Sequence, residues 1–273
     1  VSEEIASVRG IPVGKDCVSP AAHTEFSTPV GLLEFIAHLR KLSGGKPAGF
    51  KLCVGNQVEL LSIVKAMLET EIFPDFMTID GAEGGTGAAP LEFSDHVGMP
   101  LYDALMFVHN ALVGAGVRDK IRLAASAKQT SAVSIAAAMA VGADWCNSAR
   151  GFMLSMGCIQ ARRCHTNTCP AGIATQSPSL QRALIPERKS ERVFNYHKNT
   201  VGGLAELIAA AGLEHPSMLR PCHVWQRVSG SEVGSLDRLY DFLEPGQLVE
   251  GQAGVYLQRL WDMADAQQFA PSM

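Results

Sequence analysis

The chain has 273 residues, 47% of them apolar and 18% charged, with seven cysteines and a formal net charge of -4. This length and apolar content suit one large α/β domain, and the absence of a basic run or of basic residues interleaved with aromatics argues against a nucleic-acid partner. No apolar stretch of about 18 residues occurs, so no membrane span is expected.

Residues 2–9 carry a helical pattern with Ile5 and Val8 on one face, broken by the glycines and proline of residues 10–14. An irregular loop fills residues 15–27. Thr28 then caps a helix with Pro29 at its first position and Gly44 and Gly45 past its end. Leu32, Leu33, Ile36, Leu39 and Leu42 form its apolar stripe, which is expected to pack on a sheet. Strands are expected at residues 50–54, 75–80, 121–126 and 144–148, with helices at 58–70, 101–114 and 130–141. The alanine-rich part of that last helix reads as buried. Strands alternating with helices at this spacing form βαβ units and a parallel sheet. Half of a (β/α)8 barrel and an open doubly wound sheet both satisfy the pattern. A long helix follows at residues 190–212, with Val193, Val201, Leu204, Leu207 and Ile208 toward the core. Residues 216–273 carry short helical patterns such as 236–243 and read as a covering extension. His215, Cys222 and His223 read as chance neighbours.

The chemistry concentrates in residues 157–176, where Cys158, Cys164 and Cys169 fall within twelve residues and a proline follows the last. Thiolates gathered by one polar loop suit a soft metal centre. A disulfide framework is disfavoured, because seven cysteines in a chain that opens without a secretory pattern suit a reducing, cytoplasmic setting. Small buried thiols are the bland alternative, although Arg162, Arg163, His165, Asn167 and Thr168 make the loop too polar for core. Zinc held by the three cysteines and His165 competes with iron and sulfur, which is the preferred reading. Three local cysteines suit a three-iron cluster; a four-iron cluster requires a remote ligand such as Cys53, Cys146 or Cys222.

A second constellation, residues 80–90, has four glycines directly after a strand. Glycines there let backbone approach a flat or anionic ligand, and a structural turn is the plainer reading. Lys51 interrupts an apolar strand. It either faces a site and stabilises negative charge or is an edge lysine with a snorkelling stem.

The cysteine loop together with the segment Asp80-Gly-Ala-Glu-Gly-Gly-Thr-Gly-Ala-Ala-Pro90 resembles the FMN-binding synthase domain of the glutamate synthase family, in its single-domain branch without a glutaminase. The likeness runs from about residue 5 to about residue 176. It implies a (β/α)8 TIM barrel of which this chain supplies the C-terminal half, strands five to eight, as residues 1–176, with a C-terminal helical extension at residues 177–273. The first half of the barrel is then expected elsewhere, in a longer chain or a partner chain, because a half-barrel alone exposes two strand edges.

The resemblance also implies FMN and a 3Fe-4S cluster, or a 4Fe-4S cluster, held by Cys158, Cys164 and Cys169. It places Lys51, Asp80 and Glu83 in catalytic positions and Lys51, Gly84, Gly85 and Thr86 beside the flavin and a 2-oxoglutarate pocket. Barrels often bind phosphate in the loops after strands seven and eight, here Ser126, Lys128 and Gln129, and Asn147, Ser148 and Arg150. Two positions depart from the family pattern. Ala127 stands where glycine is usual, and residues 132–134 replace a Gly-x-Asp element, so strain is expected wherever the backbone needs positive φ.

The implied reaction condenses 2-oxoglutarate with ammonia and reduces 2-iminoglutarate to glutamate. Ammonia is expected free or from a glutaminase subunit, since Val1 is not the nucleophilic cysteine of the family's glutaminase. Electrons are expected from ferredoxin or an NAD(P)H-dependent reductase subunit. An N-methylglutamate synthase-type subunit using an amine is an alternative, and so is a non-catalytic iron-sulfur electron-transfer or scaffold subunit.

Overall fold

The computed structural model describes residues 1–18, 20, 22–85, 92–93 and 95–270. Two helices lead in, α1 (Glu3–Arg9) and α2 (Pro29–Leu42), followed by β1 (Gly49–Leu52), α3 (Gln57–Thr70), β2 (Phe76–Asp80) and α4 (Leu101–Gly114). Next come β3 (Arg122–Ser126), α5 (Ala132–Ala140), β4 (Trp145–Asn147) and α6 (Arg150–Met156). Beyond the cysteine loop lie α7 (Pro178–Gln181), α8 (Pro186–Ala210), the hairpin strands β5 (Trp225–Arg227) and β6 (Val233–Ser235), α9 (Leu236–Leu239) and α10 (Val255–Met263).

The first four strands form one parallel sheet in the order β1-β2-β3-β4. Consecutive right-handed βαβ units give this order when each crossover adds the next strand on the same side. Side chains alternate between the two faces of a strand. Met77, Ile79, Leu123 and Ala125 are fully buried on one face, where α4 lies against β2 and β3 and α5 against β4. The other face carries Lys51, Thr78, Ala124 and Trp145 in one row, as the register pairs Lys51 with Thr78, Thr78 with Ala124 and Ala124 with Trp145. Phe76 and Trp145 meet on it with ring centroids 6.1 Å apart, and Trp145 is 38% exposed. A sheet with helices on one face and an open, partly aromatic second face is a section of a (β/α)8 barrel, here not closed. Asp80, Ser126 and Asn147 stand side by side at its carboxyl edge.

Several elements differ from the sequence expectation. Helix α2 is capped as expected, Thr28 Oγ1 accepting from Gly31 N at 3.0 Å; it packs against α3, and Leu32, Leu33 and Ile36 enter the core shared with Met77 and Ile79 of the sheet. Its stripe is buried only in part, for Leu39 and Leu42 toward its end are exposed. In the two-turn α1, Ala6 is buried while Val8 points outward. Of the five apolar residues assigned to the core side of α8, Ile208 alone is fully buried. Val201 and Leu207 are exposed, because α8 lies across α5 and α6 through its other face. The pattern at residues 236–243 ends as a helix at Leu239. Hairpin β5-β6 and α10 arise in a segment read only as short helical patterns, and Leu236, Leu248, Trp261, Ala264 and Ala266 join the main core. No helix among the described residues is long and apolar enough to cross a membrane.

Candidate functional site

The loop after β2 is fastened on both sides. Gly81 N donates to Ser126 O and Ala82 N to Met99 O, both at 2.9 Å. Asp80 turns its carboxylate onto Lys51 Nζ, joining the ends of β2 and β1. The Lys51 side chain is 53% exposed against 15% for Asp80, so the ammonium stands at the open edge while its counter-charge is held within. Glu83 has a further task, both carboxylate oxygens accepting from Leu101 N at 3.1 Å at the start of α4. That start otherwise lacks a side-chain cap, since Pro100 precedes it. Gly84 is required by space, for a Cβ there would meet Gly81 O at 2.9 Å and the Asp80 carboxylate closer still. Gly85 follows at φ 64°. Thr86, with the rest of residues 86–91, lies outside the described residues.

The loop after β3 bears the backbone conformation that its sequence made suspect. Ala127 has φ 155° and Lys128 φ 43°, regions that favour glycine. Ala132, by contrast, is the first residue of α5, in helical backbone after the capping box of Ser131 and Ser134, and the strain expected for this segment is absent there. Gln129 is buried and donates from Nε2 to Ala127 O at 3.1 Å. Ser148, after β4, donates to Gln129 O and so ties the two strand-end loops together.

The cysteine loop leaves α6 through Gly157 at φ 104°. Left-handed turns at Gln160, Arg162 and Asn167 fold it back. Asn167 closes it, accepting from Gln176 N at Oδ1 (2.7 Å) and from Thr175 Oγ1 at its carbonyl (2.6 Å). Cys169 is buried, and the backbone N–H groups of Ala174, Ile173, Ala171 and Gly172 hold its thiol below the usual value against the opposing effect of burial. A sulfur that accepts several N–H groups is prepared for the thiolate state in which it ligates metal.

One cavity of about 400 Å³ joins these parts. Glu83 and Gly84 line it from the β2 loop, Lys128 and Thr130 from the β3 loop, Arg150 from the start of α6, and Cys158, Cys164 and Cys169 from the cysteine loop. Arg162, Arg163 and His165 add to the wall. Four permanent cations, Lys128, Arg150, Arg162 and Arg163, thus face two acids, Glu83 and Asp95, a balance that attracts an anion. Lys51, Asp80, Gly85, Ser126, Gln129, Asn147 and Ser148 do not line this cavity; they sit at or beneath the strand ends beside it.

None of the three remote cysteines considered as a fourth ligand lines it either. Burial pushes the Cys146 thiol up to about 12, and Cys53 and Cys222 are exposed elsewhere. Among the described residues no group of three or more His, Cys, Asp or Glu side chains is drawn together at ligating distances. The cysteines share a cavity wall without converging on one point. Sequence reasoning missed Asp95, which pairs with Lys128, and Tyr196, whose hydroxyl donates to Thr130 O at 3.0 Å.

Residues 1–214 match the family model described as the conserved region in glutamate synthase. The chain is 45% identical over 239 residues to the glutamate synthase large subunit-like protein YerD of Bacillus subtilis, covering 88% of this chain and 45% of that protein. It is 34% identical over 221 residues to the archaeal glutamate synthase (NADPH) of Methanocaldococcus jannaschii, covering 81% of this chain and 42% of that protein. With the glutamate synthase (NADPH) large chain of Bacillus subtilis it shares 28% over 210 residues, 13% of that much longer chain. The chain thus spans less than half the length of these relatives.

Proposed function

Because the chain belongs to the glutamate synthase family, we propose that it is the C-terminal half of an FMN- and iron-sulfur-bearing barrel that reduces 2-iminoglutarate, formed from 2-oxoglutarate and ammonia, to glutamate. The single observation that carries this reading is the shared cavity, which brings cationic strand-end loops and three cysteines to one wall. Its size falls within the range of small-molecule and cofactor sites.

The residues present suit both groups in the chemistry of their donors. Lys128 and Arg150 would face the phosphate of FMN, and Cys158, Cys164 and Cys169 are soft donors of the kind that hold iron and sulfur. When bound, FMN supplies hydride transfer and the cluster supplies electrons one at a time. The chain's own part is to bind and to orient. Lys51 Nζ, held by Asp80 at the open edge of the sheet, offers a fixed positive charge to a carboxylate of the keto acid, which limits how that substrate lies against the strand ends. Glu83 fixes the start of α4 beside the glycines, so that the backbone of Gly84 stays open to a flat ligand. Electrons would enter from a ferredoxin or an NAD(P)H-dependent reductase.

A non-catalytic electron-transfer role is the second reading, favoured by the engagement of Lys128 with Asp95 rather than with an open site. One measurement separates the two. An anaerobic absorption spectrum of the purified chain, with acid-released flavin and iron quantified on the same sample, is expected to give roughly one flavin and three irons per chain. Iron without flavin, after incubation with excess FMN, would remove the catalytic reading and leave the second.

A further inference from the structure

We infer that Tyr196, from the middle of α8, is a positioning residue that holds the loops after β3 and β4 in the relative arrangement in which they recognise a phosphate group; this rests on the FMN reading above. One hydroxyl reaches both loops. Tyr196 Oη donates to Thr130 O at 3.0 Å in the first and lies 3.4 Å from Ser148 Oγ in the second. Gly151 sits directly against it, so closely that a Cβ at that position would overlap the phenol. The glycine is thus matched to the tyrosine rather than to backbone conformation.

The ring itself is locked. It packs edge-on against Phe152 of α6, centroids 5.1 Å apart at 83°, so the hydroxyl has little freedom to leave its partners. Ser148 Oγ, in turn, donates to Gln129 O. The chain of contacts therefore runs from α8 through both strand-end loops, and the residues these loops send into the cavity are Lys128, Thr130 and Arg150. Lys128 occupies a left-handed backbone position, φ 43°, and Thr130, whose carbonyl Tyr196 holds, is two residues further on. A non-glycine residue in that region persists only when its surroundings hold it there, and the Tyr196 hydrogen bond is a restraint of that kind.

The test compares FMN with riboflavin, which has the same ring and no phosphate, in fluorescence titrations of the full chain. Tyr196→Phe keeps the ring and removes the hydroxyl. FMN affinity is expected to fall about tenfold, the effect of one lost hydrogen bond that leaves a partner unsatisfied, while riboflavin affinity stays as it was. A purely structural tyrosine would lower the melting temperature and weaken both ligands alike, or neither, and that result overturns the inference. If Tyr196→Phe does not yield folded protein, Gly151→Ala, which pushes a methyl group against the hydroxyl, is expected to cause the same selective loss. The two levels of the argument fail differently. A wild-type chain that does not prefer FMN to riboflavin removes the phosphate site and this inference with it; a wild-type preference that survives in Tyr196→Phe overturns the role of Tyr196 alone.

Discussion

Lys128 and Asp95 form an ion pair at the wall of the cysteine cavity, and both hold left-handed backbone, at φ 43° and 70°. The hydrogen bond from Lys128 keeps the Asp95 carboxyl below the ordinary aspartate value, so Asp95 is an anion at neutral pH and stands where an anionic ligand of Lys128 would stand. Both side chains are about two-fifths exposed, and exposed pairs of this kind contribute little. A phosphate bound at Lys128, as proposed, would therefore displace the carboxylate at small cost. Asp95→Asn is expected to tighten FMN binding about two- to fivefold at low salt, with the gain shrinking as salt is added. Fluorescence titration at two ionic strengths measures it; an unchanged affinity at low salt would mean that Asp95 does not compete.

Ala127 has a backbone conformation that favours glycine, φ 155° at a buried position. An L side chain there costs of the order of 1–3 kcal/mol, partly offset by the greater entropy that glycine gives the unfolded chain, about 0.4–1 kcal/mol. Ala127→Gly is therefore expected to raise stability by about 1 kcal/mol and to tighten FMN by letting the backbone approach the phosphate. Ala132→Gly is the contrast, since that residue is helical, and about 0.5–1 kcal/mol should be lost there. Thermal melts of the two variants should move in opposite directions. A lower melting temperature for Ala127→Gly would show that position 127 is not strained.

The parallel sheet was legible because each strand is a short apolar run with turn chemistry beside it. Helix α4 matches its expected bounds, Leu101–Gly114, because Pro100 and the glycines after Val113 punctuate it. Other features depend on contacts that no local pattern records. Tyr196 meets Thr130 across 66 residues, and Glu83 meets Leu101 across 18, so neither pairing could be read from periodicity. Strands β5 and β6 are three residues each; β5 is exposed throughout and β6 buries only a glycine and a serine, so neither shows the apolar alternation that announces a strand. Spacing singled out the three cysteines of the loop, and they line one cavity wall. Whether Cys53, Cys146 or Cys222 could join them was not legible, because that depends on which sheet face or edge each occupies. Cys146 faces the covered side, near Ile135 of α5.

The ligand assignment is tested on Cys164, which lies in the short turn Cys164–Thr166 at the cavity wall. Cys164→Ser replaces a soft donor by a hard one while leaving the loop's closure at Asn167 untouched. Iron content and cluster absorbance are expected to vanish, with soluble protein and the flavin preference retained. The same substitution at Cys146, which is half-buried on the covered side and whose thiol burial pushes up to about 12, should leave iron unchanged. Full iron content in Cys164→Ser would refute the three-cysteine centre.

The opposite end of the sheet predicts a pH response that is independent of any cofactor. Arg118 Nε donates to His109 Nδ1 at 3.2 Å, while its terminal nitrogens bind Ile121 O and Gly142 O at 2.7 Å and Asp144 Oδ2 at 2.9 Å. Burial first and the Arg118 charge second hold the imidazole down at about 4, with Arg220 adding to the effect and Asp144 opposing it. An unfolded histidine takes up its proton near pH 6.5, so between about 6.5 and 4 the unfolded chain binds more protons than the folded one. Stability from this group is complete above about pH 7 and is lost as pH falls through that window. His109→Gln keeps an oxygen that can accept from Arg118 but has nothing to titrate. Its melting temperature is expected to be lower than wild type at pH 7.5 and to fall less steeply from pH 6.5 to 4.5, so that the two curves converge in acid. Parallel curves would mean that His109 protonates equally in both states, and the acid sensitivity would then have to come from carboxylates such as Asp144 instead.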